Sequence, residues 1–307
     1  MAWFDRRRGT AAVVGEASAE PATAVVTDSA AALPQGWITG NGPAVGVTIV
    51  PMPVIIGGRH YGEGADNLLE PLSVALVEGS EVRTSRPSPG QFQNVYRRLE
   101  REGAQEIVSI HLSGKLSGTV EAARWAARTV SVPVHVVDSG TVGMAQGCAV
   151  AAAALALRDG ATASEAALRA AAYCAETRIF FYVPSLEQLR RGGRIGAAAG
   201  FFGTLLAVKP LLTVREGAIE PLEKVRTAAR ARQRLEELVR DDLRQRAAGS
   251  IAAFHYFGNR AEAEAAASRV PAGAEALLTR MPAVLAAHTG LGVLAVALSD
   301  PLSPDHG

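Results

Sequence analysis

The sequence predicts an α/β protein of two domains: an N-terminal parallel sheet flanked by helices, then a C-terminal α+β domain with a mainly antiparallel sheet. Three observations carry this. The chain has 307 residues, the length of about two domains at ~150 residues each. Its first half alternates β-branched runs with helical patterns, the order expected of a parallel sheet with covering helices. Its second half carries a hairpin signal and isolated strands instead. Hydrophobic residues make up 48% and charged residues 20%, which is enough apolar material for a large core and argues against disorder.

Residues 1–21 read as a flexible leader. Arg6, Arg7 and Arg8 precede no long apolar segment, so a secretory signal is not expected. The N-terminal domain is expected over 22–160. Residues 22–27 form its first strand, which ends at Asp28-Ser29. Residues 45–56 are β-branched but broken by Pro51 and Pro53, a strand with an irregular continuation. Ser88, Pro89 and Gln91 make a capping-box start for a helix with Phe92, Val95, Tyr96 and Leu99 at helical spacing, and Gly103 stops it. Strand 107–112, the glycine-containing loop 113–118, helix 119–128, strand 132–137 and helices 144–158 and 163–177 follow. The domain division is placed near Gly160.

The C-terminal domain is expected over 161–301. It starts with a strand at 179–183 and one or two helical turns at 186–191, which Gly192-Gly193 ends. Segments 210–214 and 219–225 flank Glu216-Gly217 as a hairpin. Helix 227–248 carries Leu235, Leu238, Val239 and Leu243 on one stripe. Strand 251–256, helix 261–267, and strands near Val284 and over 293–298 complete the chain.

Composition excludes several classes. A net charge of +1 and 5% aromatic residues give neither the field nor the stacking surface of a nucleic-acid binder. The longest apolar run, 148–157, is half the ~20 residues of a membrane span, so no integral membrane segment is expected. Cys148 and Cys174 make neither a disulfide framework nor a zinc site; they fit a reducing, cytoplasmic setting. No G-x-S-x-G, Walker A, G-x-G-x-x-G, H-E-x-x-H or C-x-x-C occurs, which argues against a hydrolase, kinase or metalloenzyme by local motif.

Three segments can carry chemistry. The loop before helix 119–128 joins a helix N-terminus to Gly114, Gly118, Ser117 and Thr119, a setting for a carboxylate or phosphate; simple capping by Ser117 explains it equally well. Thr84-Ser85 lies at another loop-to-helix junction and can face Ser117 across a crevice, or be a solvated turn. His288, before Thr289-Gly290, is a functional imidazole or a packed one; His111 reads as structural. The turn with Arg190, Arg191 and Arg194, extended by Lys209, offers guanidinium groups to an acidic partner or is a solvated cluster. A serine-dependent acyl hydrolase, with Ser117 as nucleophile, His288 as base and Asp138 as orienter, is the competing enzyme reading. A regulatory interaction module docking through Arg190–Arg194 is a third.

Taken together, the motifs resemble the DegV family of fatty-acid-binding proteins from about Ala24 to Ala297. The matching pieces are Val26-Thr27-Asp28-Ser29, Thr84-Ser85 with Pro87, Ser109-Ile110-His111-Leu112-Ser113, Leu116-Ser117-Gly118-Thr119, Val137-Asp138-Ser139, Arg191-Gly192-Gly193-Arg194-Ile195, Lys209-Pro210 and Ala287-His288-Thr289-Gly290. The resemblance implies a cytoplasmic, non-catalytic protein holding one long-chain fatty acid between its domains, with no other cofactor and no metal. It implies a carboxylate bound by Thr84 and Ser117 and supported by His288, with Ser85, Gly118 and Thr119 at the same place. It further implies that the protein is the acyl-carrying subunit of a bacterial fatty-acid kinase, serving phospholipid metabolism. A separate ATP-binding subunit would phosphorylate the acid, with Arg194 and Arg226 as its contacts. Arg86 and Lys115 depart from the family pattern, and both add positive charge near the expected carboxylate. Phe180, Phe181, Phe201, Phe202, Leu205 and Leu206 are candidates for the tail's lining; ordinary core packing explains each as well.

Overall fold

A computed structural model describes residues 23–62, 68–201 and 209–302. The leader therefore lies outside the described residues, as do Phe202, Leu205 and Leu206.

The N-terminal half runs β1 (Thr23–Asp28), α1 (Gln35–Ile38), β2 (Thr48–Val50), β3 (Pro53–Ile56), β4 (Arg59–Gly62), α2 (Leu69–Glu78), β5 (Val82–Thr84), α3 (Pro89–Arg101), β6 (Glu106–His111), α4 (Thr119–Ala127), β7 (Val134–Asp138), α5 (Met144–Arg158) and α6 (Ala163–Glu176). The second half runs β8 (Arg178–Tyr182), α7 (Glu187–Arg191), β9 (Lys209–Arg215), β10 (Ala218–Val225), α8 (Ala228–Leu243), β11 (Ile251–Tyr256), α9 (Arg260–Ala267), β12 (Glu275–Arg280), α10 (Ala283–Thr289) and β13 (Leu294–Ser299). The expected architecture is present. Strands β2-β1-β6-β7 form a wholly parallel sheet. Strands β10-β9-β8-β13-β11-β12 form a second sheet, antiparallel except between β11 and β12.

Helix α3 starts as its sequence dictates: Ser88 Oγ accepts from Gln91 N–H, and Gln91 Oε1 accepts from Ser88 N–H. With α4 it buries Phe92, Tyr96, Ala122 and Ala126 against one face of the parallel sheet. Helices α5 and α6 cover the other face. Helix α5 also packs Met144, Ala145 and Cys148 against the second sheet. A helix held between two sheets has no solvent stripe, and small side chains let both sheets approach it. This accounts for the alanine-rich run at 148–157. No helix among the described residues is long and apolar enough to cross a membrane. The outer face of the second sheet is closed by α8 and α9 through Leu235, Val239 and Ala263.

Two sequence expectations need revision. Residues 45–56 are not one strand: β2 joins the parallel sheet, and β3 leaves it for a separate three-stranded sheet, β4-β3-β5. Pro51 lies between the two, and Pro53 is the first residue of β3, opposite Gly62. Val284 lies in α10, not in a strand. The segment is short, but Ala283, Val284, Ala286 and Ala287 are buried at helical spacing. Strand β12 carried no clear signal and pairs at the sheet edge. Helix α6, which follows Gly160, still packs on α5 and β6. We propose the domain division at the α6–β8 junction.

A buried polar chain fixes the top of the parallel sheet. Asp28 accepts from Ala30 N–H at 3.0 Å and from Leu112 N–H at 3.1 Å, and lies 3.0 Å from His111 Nδ1. His111 Nε2 meets Ser109 Oγ at 2.7 Å, which meets Tyr96 Oη at 2.7 Å. His111 is thus structural, as its position at a strand end suggested. Asp28→Ala is expected to leave three partners unpaired and lower stability by about 3 kcal/mol or more. Urea unfolding measures it, and an unchanged midpoint would contradict the role.

Candidate functional site

The site is built where three segments meet. Loop 112–118, from β6 to α4, carries Ser117. Strand β5 ends at Thr84. Helix α10 carries His288 in its last turn. Thr84 does not come from the parallel sheet, as the crevice argument supposed. The antiparallel pairing of β5 with β3, with Val54 opposite Thr84, delivers it.

Loop 112–118 is fastened from four directions. Asp28 takes Leu112 N–H. Ser113 N–H donates to Thr141 O at 2.9 Å. Gly114 N–H donates to the Asp138 carboxylate at 3.1 Å. Ser113 Oγ donates to Gly217 O at 2.7 Å, which reaches the β9–β10 turn of the second sheet. That turn needs glycine: Gly217 has φ +79°, and a Cβ there would lie 2.6 Å from Ser113 Oγ.

Behind this loop lies an apolar cavity with about 860 Å³ of space free of atoms, its open mouth included. Ile179, Phe181 and Ala295 of the second sheet form one wall, and Met281, Val284 and Leu285 another. Of the lining residues expected from the sequence, Phe181 is present. Phe180 faces the opposite side of its strand, where it packs near α8. The side chain of Phe201 lies outside the described set. Met52, Leu112, Val142 and His255 also line the cavity. Only a histidine within the apolar strand 251–256 could have flagged the last of them from sequence.

Polar groups gather at the mouth. Thr84 Oγ1 lies 2.7 Å from His288 Nε2, and Ser117 Oγ lies 2.8 Å from Thr119 Oγ1. All but Thr119 line the cavity; Thr119 is fully buried behind Ser117. Ser117 is therefore not a helix cap: Gly118 occupies that position, with no side-chain capping bond. Ser85 lines the mouth, and its hydroxyl donates to Arg86 O. Arg194 Nε donates to Leu116 O at 3.0 Å, and its Nη1 to Gly192 O at 2.6 Å. Exposed Arg86 lines the same mouth and donates to Gly118 O at 3.4 Å. Two guanidinium groups thus brace the carbonyls on either side of Ser117. Gly192 permits this packing, since a Cβ there would overlap His288 Nδ1. Neither Lys115 nor Arg226 lines the cavity; Arg226 is exposed at the β10–α8 junction.

Burial, and secondarily the Arg194 charge, lowers the His288 pKa to about 4, so the ring is neutral near pH 7. The hydrolase arrangement is not formed. Ser117 pairs with Thr119 and His288 with Thr84, while Asp138 accepts from Gly114 and Gly140 N–H. No cluster of three His, Cys, Asp or Glu able to hold a metal occurs among the described residues.

Comparison with known proteins agrees with this architecture. A family model described as an uncharacterised protein of the DegV family matches residues 22–300. A DegV domain-containing protein of Streptomyces coelicolor is 46% identical over 90% of this chain and 98% of its own length. One from Deinococcus radiodurans is 34% identical over 91% and 99%. Among solved structures, a fatty-acid-binding DegV family protein from Thermus thermophilus superposes with a TM-score of 0.82 at 34% identity, covering 91% of this chain and 99% of that one. DegV from Bacillus subtilis, a fatty acid binding protein, gives 0.81 at 28% identity over 91% and 99%. The chain belongs to the DegV family.

Burial also lowers the His255 pKa to about 4. Both histidines have folded values below the ordinary 6.5, so the unfolded chain takes up protons first as pH falls. Their contribution is present above the ordinary value and declines as the pH falls from 6.5 towards 4. Urea midpoints across that range should fall, and flat midpoints would contradict neutral, buried rings.

Proposed function

We propose that this protein binds a long-chain fatty acid, with the tail in the apolar cavity and the carboxylate at Thr84 and Ser117. One observation carries the reading: two hydroxyls, each backed by a second polar group, sit at the mouth of a largely apolar cavity. The fatty acids bound by the T. thermophilus and B. subtilis relatives support it.

The chemistry follows from the pairs. Burying the tail contributes roughly 0.8 kcal/mol per CH₂, so the tail supplies most of the affinity. The head group supplies orientation. A hydroxyl has one proton to give. If His288 Nε2–H donates to Thr84 Oγ1, the Thr84 proton is free for the ligand. If Thr119 O–H donates to Ser117 Oγ, the Ser117 proton is free as well. A carboxylate at the mouth selects these two arrangements, and both hydrogen bonds are then charge-assisted. The start of α4 and the guanidinium groups of Arg86 and Arg194 favour the ionised acid. Gly118 leaves room for close approach, and Ser85 extends the rim.

In this reading the protein is a carrier rather than a catalyst. It presents the acid at the open mouth to a separate ATP-dependent kinase subunit, which forms the acyl phosphate. Arg194, beside the head group, and exposed Arg226 are the proposed contacts of that partner.

Titration calorimetry with oleate or palmitate tests the lipid reading. Binding is expected, and Thr84→Val with Ser117→Ala should weaken it about tenfold to several hundredfold, the worth of one or two hydrogen bonds to a charged group. No binding by the unaltered protein, or unchanged affinity in the double variant, would contradict it. Arg226→Ala should retain lipid affinity while reducing acyl phosphate formation with the kinase subunit. Unaltered transfer would remove Arg226 from the contact.

A further inference from the structure

His255 lines the cavity but belongs to none of the mouth's hydrogen-bonded pairs. It sits on β11, opposite Thr279 and Ala295 in the sheet register. Its Nε2 accepts Met144 N–H, at the start of α5, at 3.1 Å, so that nitrogen carries no proton. The ring is neutral near pH 7, because burial opposes its charging. Its single proton therefore sits on Nδ1. Nδ1 is buried and has no hydrogen-bond partner among the described residues.

The two ring nitrogens of an imidazole diverge. With Nε2 committed to the helix start, the Nδ1–H bond is directed away from it. The cavity that His255 lines is largely apolar, with Ile179, Phe181, Val284 and Ala295 among its lining residues. Thr279, the other register partner, turns its hydroxyl to Ala32 O, and no hydrogen bond joins it to Nδ1. A buried donor without an acceptor is unfavourable and uncommon in native proteins. A plain alkyl chain in the cavity leaves it unpaired, whereas a chain carrying an oxygen pairs it.

We propose that His255 is a specificity-determining residue whose Nδ1–H recognises a hydroxyl on the alkyl chain, so that hydroxylated long-chain fatty acids are preferred ligands. This rests on the fatty-acid reading above. The carboxylate is held at the mouth, so the oxygen recognised by His255 belongs to the chain. The site thereby reads two features of one molecule, an acid at one end and a hydroxyl along its length.

Competition binding among stearate and 3-, 10- and 12-hydroxystearate tests this in the unaltered protein. At least one hydroxy acid should bind about fivefold or more tightly than stearate, the range of one neutral hydrogen bond. In ¹⁵N spectra the His255 Nδ1 resonance should shift with that acid and not with stearate. His255→Gln, which retains an acceptor for Met144 N–H, should lose the preference, so that its affinities for stearate and for that hydroxy acid converge. Stearate binding as tight as, or tighter than, that of all three hydroxy acids would overturn the proposal, whether or not the variant folds. Failure of stearate and every hydroxy acid to bind would instead remove the fatty-acid reading itself.

Discussion

The site depends on the fastening of loop 112–118. Its backbone and side chains are held by Asp28 and Thr141 near the parallel sheet, by Asp138 at the end of β7, and by Gly217 in the second sheet's hairpin. A loop tied to both sheets cannot follow one of them alone. Ser117 therefore keeps its place relative to Thr84 and His288, which arrive from segments far away in sequence. Hydrogen bonds to buried acceptors are costly to leave unmade, so the geometry of the mouth is enforced by the stability of the fold. The cavity exists because the sheets meet through a small-residue helix and leave the space beside it to alkyl side chains.

The division of labour between cavity and mouth follows from solvation. Apolar burial is non-directional and grows with area, so the cavity can hold a chain without specifying which end enters first. The mouth specifies it, because an ionised acid deep among alkyl groups would be strongly disfavoured. A neutral His288 suits this arrangement. A charged imidazolium would attract the acid but fix its own protons, whereas the neutral ring can give its one proton to Thr84 and leave the threonine proton to the ligand.

The fold was legible wherever local chemistry was unambiguous. The capping box at Ser88 and Gln91, the alternating pattern of the first half and the Glu216-Gly217 turn each specify their element within a few residues. Illegible were the elements whose identity comes from packing. Residues 45–56 read as one strand because nothing local says that Pro51 and Pro53 hand the chain to a different sheet. Val284 read as a strand because a short helix, buried on several sides, shows little polar contrast. For the site, the motifs brought Thr84, Ser117 and His288 forward, but their partners follow from tertiary geometry. Thr119 behind Ser117 and Gly192 beneath His288 are cases where adjacency in space has no signature in spacing. Arg86 stood out as a departure from the family pattern, and the structure puts it at the mouth; Lys115 stood out equally and does not line the cavity.

The most direct test is a crystal structure of the protein grown with oleate. The account predicts one lipid molecule with its carboxylate within hydrogen-bonding distance of Thr84 Oγ1 and Ser117 Oγ, and its tail between α10 and the second sheet. A cavity closed to the chain, or a lipid bound with its acid away from both hydroxyls, would contradict it.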